Sequence, residues 1–311
     1  MKSILLLMLA FAGLSLAAAE PAPLLDPTAK LEKLWGEGEF TEGPTVAPDG
    51  SILFSDIGNR IMKFEPATSK ITVFREPSGR SNGMKFDAMG RLIVCEGANT
   101  GGNRRISITA KDGKVTTVVD SWNGKKLNSP NDLAIDPTGR IWFTDPRYGG
   151  EEGLEIGREN VYRIDAGKAV LAIDDVIKPN GIVFSPDGKT LYVAETSGKP
   201  SEPRRLSMYP VNADGSVGKK ALLYDFKDER GADGIAVTAD GLIAATMGSK
   251  GNSGVLILTP EGKKVGFIPT PEDSSNLCFA GKDRKTLYIT AGKSIYRIET
   301  RTVGASTTGA K

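Results

Sequence analysis

The chain of 311 residues carries 40 basic and 38 acidic side chains, a formal net charge of +2, and no histidine. That balance lacks the basic excess of a nucleic-acid binder, and the length accommodates either one large β domain or two smaller ones. The missing histidine excludes a Ser-His-Asp triad, a Cys-His pair, a histidine zinc site and a histidine general base. Hydrolytic chemistry in this chain would have to rest on carboxylates, amides, lysine, tyrosine or a hard metal ion.

Residues 1–19 place one lysine before an apolar run from Ile4 to Leu16 and then Ala17-Ala18-Ala19. This order predicts a cleaved secretory signal, and the run is too short to span a bilayer. The expectation is an exported protein, periplasmic or secreted, with no membrane association after cleavage. Residues 20–30 read as a linker. Cys95 and Cys278 fall in non-adjacent repeat units, so they are expected as free buried thiols even though export would permit a disulfide.

From residue 31 the chain repeats itself. LEKLWGEG (31–38) reads as an orphan strand. Six hairpin units follow: TEGPTVAPDGSILFSD (41–56), SNGMKFDAMGRLIVCE (81–96), PNDLAIDPTGRIWFTD (130–145), PNGIVFSPDGKTLYVAE (179–195), ADGIAVTADGLIAAT (232–246) and SNLCFAGKDRKTLYIT (275–290). Each sets two apolar-alternating runs around a turn, most of them with a central glycine that supplies positive φ. Weaker strand signals follow each hairpin, such as RIMKFEP then KITVFRE, and NVYRIDA then KAVLAID. Units of about 40–50 residues with four short strands predict propeller blades. The sixth unit ends after its third strand, so the expected fold is an all-β six-bladed β-propeller over 31–300, its last blade closed by the N-terminal strand. The small polar tail 301–311 is expected to be disordered.

The residues opening the first strands are Glu42, Asn82, Asn131, Asn180, Asp233 and Asn276, all oxygen-bearing. Innermost strands converge on a propeller axis, so these six are expected to ring one mouth of the channel. Asp56, Glu96, Asp145, Glu195, Thr246 and Thr290 end the partner strands and are expected just behind them, orienting the first ring. Two carboxylates among four carboxamides suit a divalent ion that accepts hard oxygen ligands, calcium before magnesium. A water-filled polar channel is the simpler alternative. The glycines after these positions read as packing residues.

The motifs EGP at Glu42, SPND ending at Asp132, FTDPRYGG at Phe143 to Gly150, KPNG at Lys178 to Gly181 and ADG at Ala232 to Gly234 resemble the gluconolactonase/regucalcin (senescence marker protein) family of six-bladed propeller lactonases. The resemblance spans roughly 31–300. It implies one divalent metal in the channel, usually calcium and sometimes zinc or manganese, held by Glu42, Asn180 and Asp233, with Asn131 at metal, substrate or bridging water. It also implies hydrolysis of a small-molecule sugar lactone such as gluconolactone. Animal members carry an arginine where this chain has Ser129, which leaves the sugar open. Asp233 is the candidate general base, with Glu42 anchoring the ion. Ser129, Asn131, Asn82, Arg104 and Tyr148 are the substrate-binding candidates, and Arg105 and Arg147 lie in the same mouth-side loops. A related propeller esterase or organophosphate hydrolase, and a non-catalytic exported propeller that binds a carbohydrate or partner, remain as alternatives. No obligate protein partner is evident.

Overall fold

The computed structural model describes residues 24–97, 102–149, 153–249 and 251–306. It is a six-bladed β-propeller of four-stranded antiparallel sheets. The inner strands are Thr41–Val46, Ser81–Phe86, Leu133–Ile135, Pro179–Phe184, Ile235–Val237 and Ser274–Ala280. In five blades the strands run outward in chain order. In the sixth, Ser274–Ala280, Thr286–Ala291 and Ser294–Glu299 are completed by Glu32–Trp35. That strand pairs Glu32 with Arg297, Lys33 with Tyr296 and Trp35 with Ile295, closing the ring as the repeat count predicted. No helix of the described residues is long and apolar enough to cross a membrane.

Strand alternation sends successive side chains to opposite faces of a sheet, and in a propeller both faces meet a neighbouring blade. Ile52 and Phe54 accordingly pack with Cys278, Tyr288 and Ile295 of the last blade, whereas Leu53, between them, packs with Met84, Leu92 and Val94 of the second. Each of the six seams has one such apolar cluster. At the closing seam, Trp35 packs against Phe54 with the rings tilted at 58° and 5.6 Å between centroids, tying Glu32–Trp35 to blade one as well as to blade six. Both cysteines are free and buried, as expected.

Three features differ from the sequence expectation or lie outside it. Residues 301–306 of the tail expected to be disordered are docked on the propeller: Ala305 N–H donates to Val237 O at 2.9 Å, Gly304 N–H to Arg284 O at 2.8 Å, and Val303 O accepts from Ala239 at 2.7 Å. Small residues suit this backbone-to-backbone docking, which composition does not reveal. Residues 307–311, and the expected signal at 1–19, lie outside the described residues. In the expected linker, Leu24 is buried in the seam between blades five and six and Leu25 bridges Thr300. A short ribbon, Ser121–Trp122 with Lys125–Lys126, turns through Asn123-Gly124, both at positive φ, and lays Trp122 on Tyr162.

Phe54 is fully buried, so Phe54→Ala should lower stability by about 3–5 kcal/mol through lost transfer energy and a residual cavity. Urea denaturation would measure it; a loss below about 1 kcal/mol would show that the closing seam does not depend on this contact.

Candidate active site

The inner strands converge because glycine follows the ring position in four blades. Gly83 N–H donates to Asn131 O at 2.8 Å, Gly181 N–H to Asp233 O at 2.8 Å, and Gly234 N–H to Ser275 O at 2.7 Å. A side chain at Gly43, whose φ is +49°, would collide with the Asn82 carbonyl. Neighbouring hydroxyls hold the same backbone: Ser55 donates to Asn82 O at 2.7 Å and Thr144 to Asn180 O at 2.8 Å. With the backbones drawn together, Glu42, Asn82, Asn131, Asn180 and Asp233 are all buried, and all line one cavity of about 740 Å³. Asn276, the sixth ring position, acts through Glu42: its amide donates to Glu42 Oε2 at 3.0 Å, and its Oδ1 accepts from Leu277 N–H at 2.8 Å.

Burial and mutual repulsion dominate the electrostatics here. Loss of hydration pushes the Glu42 carboxyl well above its ordinary range, and the charges of Asp233 and Asp132 push it further. Asp233 is also raised, first by burial, against the pull of Arg230 and Asn180, and it lies within hydrogen-bonding reach of Glu42. Arg230 forms an ion pair with Asp233 Oδ2 and also donates to Ser274 O at 3.4 Å. Asp132 stands where four other blades have glycine. It is buried, which raises its pKa, and the positive charge of Lys85 opposes that rise.

In the outer polar set the two threonines stand directly behind the ring, but the carboxylates do not. Thr290 pairs across the sheet with Asn276 and accepts its N–H at 3.1 Å, and Thr246 accepts from Asp233 N–H at 3.2 Å and, through its hydroxyl, from Gly234 N–H at 2.9 Å. Because alternation turns adjacent residues to opposite faces, Asp56 pairs across the sheet with Thr41 and Glu96 with Ser81, each one residue before a ring position. These carboxylates tie down connections instead. Asp56 binds Arg60 at 2.6 Å, Glu96 binds Arg75 and Arg105 at 3.0 and 2.7 Å, and Glu195 binds Lys220 at 2.7 Å and accepts from Ile177 N–H at 2.9 Å. Among the carboxylates Asp145 comes nearest to the expected role: it accepts N–H bonds from Asn128 and Ser129 at 2.8 and 2.7 Å, fixing the segment that presents Asn131.

Of the substrate-binding candidates, Ser129, Asn131, Asn82 and Tyr148 line the cavity. The Ser129 hydroxyl donates to Gly97 O. Tyr148 is carried in by the insert after blade three's second strand, which Glu159 stitches to blade four through Lys178 Nζ at 2.5 Å and Lys178 N–H at 3.1 Å. Its side chain is partly exposed, its hydroxyl donates to Lys178 O at 3.4 Å, and desolvation followed by the Asp233 charge pushes its pKa well up. Arg104 corrects the expectation: it is not among the described residues lining the cavity, and its guanidinium donates to the carbonyls of Leu127, Asn128 and Gly153. Arg105 is committed to Glu96 and Thr117, and Arg147 donates to Asn128 O. The arginines that do line the cavity are Arg80, Arg204 and Arg230, none of them singled out by sequence. Only Arg230 had a legible signal, three residues before Asp233.

A model of the SMP-30/gluconolactonase/LRE-like region matches residues 40–293. The chain belongs to this family. Among curated relatives it is similar to the gluconolactonase of Zymomonas mobilis, 29% identical over 90% of this chain and 84% of that protein. Two solved structures superpose closely. One is a structural-genomics X-ray structure whose gluconolactonase assignment is itself a proposal, 33% identical with a TM-score of 0.80 over 91% of this chain and 96% of the other. The other is a gluconolactonase from Xanthomonas campestris, 29% identical with a TM-score of 0.78 over 90% and 91%.

In this SMP-30/gluconolactonase-type site the donor set is all oxygen. No group of three His, Cys, Asp or Glu side chains converges among the described residues, so any ion would be held by two carboxylates and several carboxamides. The residues fit such an ion. Glu42 and Asp233 are buried like charges, and Asn82 Oδ1 is sealed from solvent with no hydrogen-bond donor. An unpartnered buried acceptor costs roughly 1–3 kcal/mol, and a hard cation or a ligand hydroxyl would relieve it.

Burial raises Asp145 from the ordinary aspartate range to about 7, despite its two N–H donors. Between about pH 4 and that value the folded chain keeps a proton that the unfolded chain has released, so stability falls as pH rises through the window and levels off above it. Asp145→Asn should flatten that slope, by up to ~1.4 kcal/mol per pH unit. Chemical denaturation from pH 4 to 8 would measure it, and equal slopes in both proteins would contradict the assignment.

Proposed function

We propose that the chain is a hydrolase that opens sugar lactones at the floor formed by Glu42 and Asp233. The observation that carries this reading is the convergence of these two buried carboxylates with Asn82, Asn131 and Asn180 in one open cavity, in a chain without histidine. Similarity to gluconolactonases over nearly the whole propeller supports the substrate class.

Hydrolysis forms a bond from water oxygen to the lactone carbonyl carbon, breaks the ring C–O bond and returns a proton to the departing ring oxygen. Asp233 takes the proton from water. Burial raises its affinity for protons, which strengthens it as a base. Arg230 fixes the Asp233 carboxylate through Oδ2. The Asn131 and Asn180 carboxamides orient substrate and water. Tyr148, kept protonated by its desolvated setting, donates to a substrate oxygen. Glu42, Asn131, Asn180 and Asp233 would hold a divalent ion, calcium by donor chemistry with zinc or manganese as alternatives, which when bound supplies Lewis-acid polarisation of the carbonyl. We also infer export to the periplasm or medium, on the charged, apolar and Ala-x-Ala order of residues 1–19.

Acid release from glucono-δ-lactone should require a divalent ion, stop on chelation and return with calcium. Asp233→Asn should lower kcat by about 10²-fold or more, the scale of a lost general base, with the thermal midpoint retained. Full turnover in Asp233→Asn would reject its role, and ligand binding without turnover in the wild type would favour a binding propeller.

A further inference from the structure

The cavity wall carries more positive charge than the opening of a neutral ring requires. Arg80, Arg204 and Arg230 all line it. Arg230 is engaged with Asp233, but the other two have no carboxylate partner among the described residues. Arg204 is held by carbonyls alone, Nε to Ser197 O at 2.9 Å and Nη1 to Lys227 O at 3.3 Å, so it is positioned but not neutralised. It stands beside Gly231, where a Cβ would lie 3.1 Å from its own and crowd it. Arg80 enters from another blade, at the start of blade two. Its backbone N–H donates to Asn59 Oδ1 at 2.9 Å and fixes its left-handed turn, φ +55°. Its Nε is sealed from solvent with no acceptor.

A guanidinium donates and cannot accept, so a pair of unneutralised arginines is poorly matched to a neutral polyol, whose hydroxyls also need acceptors. It is well matched to a carboxylate, sulfonate or phosphate, which accept charge-assisted and often paired N–H bonds. The opposing carboxylate on the lining away from the floor is Asp228, an exposed residue. An ion on the floor would offset Glu42 and Asp233 and leave the walls net positive.

We infer that the cavity wall carrying Arg80 and Arg204 is a charge-selecting subsite, and that the preferred substrate is a lactone bearing a second, anionic group away from the ring ester. The inference rests on the lactonase reading for the reaction but not for the binding. The anionic group is recognised while the ring ester sits over Glu42 and Asp233, so the selectivity appears in KM.

The test compares KM for glucono-δ-lactone with KM for lactones carrying a carboxylate, sulfonate or phosphate substituent, in wild type, Arg80→Gln and Arg204→Gln. Alongside, calorimetry measures binding of gluconate, glucarate and 6-phosphogluconate to the same proteins. The wild type should favour at least one anionic lactone by about tenfold or more in KM, and each variant should cut that preference severalfold, as expected for losing a charge-assisted hydrogen bond. Raised salt should erode it as well. Which anion is favoured separates a planar carboxylate from the tetrahedral groups. Equal KM values in the wild type, or a preference untouched by both substitutions, would overturn the subsite while leaving lactone hydrolysis standing. Tight, arginine-dependent binding of the dianions without turnover of any lactone would keep the subsite and reject the hydrolase reading. Should a variant fail to fold, the wild-type comparison of glucarate and 6-phosphogluconate with gluconate still decides.

Discussion

The arrangement of this site follows from one electrostatic constraint: two carboxylates, Glu42 and Asp233, are held out of water within reach of each other, with a third, Asp132, close enough to raise the pKa of Glu42. Buried like charges are stable only if a proton, a cationic side chain or a bound ion intervenes. The chain supplies Arg230 to Asp233 and Lys85 to Asp132. Glu42 has only N–H donors, from Gly43 at 2.7 Å and Asn276 at 3.0 Å. The site is thus stocked with acceptors and short of positive charge at its floor.

The propeller makes that concentration of oxygens possible. Each apolar seam fixes one blade against the next, and the strand periodicity that buries Ile52, Leu53 and Phe54 in alternate seams also decides which residue at the strand's start faces the axis. Glycines at 83, 181 and 234 let the backbones approach until carbonyl and N–H groups pair between blades, and Gly43 leaves room for the Asn82 carbonyl. The stability of the seams therefore offsets the cost of the floor. A bulkier residue at those glycines would act on the site by spreading the ring.

Much of this was legible in sequence because the repeats align. Glu42, Asn82, Asn131, Asn180 and Asp233 occupy one register position, and a shared register in a propeller becomes a shared place in space. The outer carboxylates were misplaced by a single step: Asp56 and Glu96 stand opposite Thr41 and Ser81, so alternation turns them into the sheet connections, whereas Thr246 and Thr290 do stand behind Asp233 and Asn276. The wall arginines were missed for a different reason. Arg80 and Arg204 lie at loop–strand junctions, where a left-handed φ or a carbonyl clamp sets direction and no period applies. Asp132 was readable in principle, as the aspartate in a column otherwise rich in glycine. The docked 301–306 segment was not, since its contacts are made by backbone atoms.

The most direct measurement of the central claim is calorimetric titration of calcium into the chelated protein, repeated with Glu42→Gln. The account predicts uptake of one ion per chain in the wild type, and weakening by about tenfold or more when that carboxylate becomes an amide, since each charged oxygen ligand tunes affinity strongly. An absence of ion uptake by calcium, zinc and manganese alike, or uptake indifferent to Glu42→Gln, would contradict it.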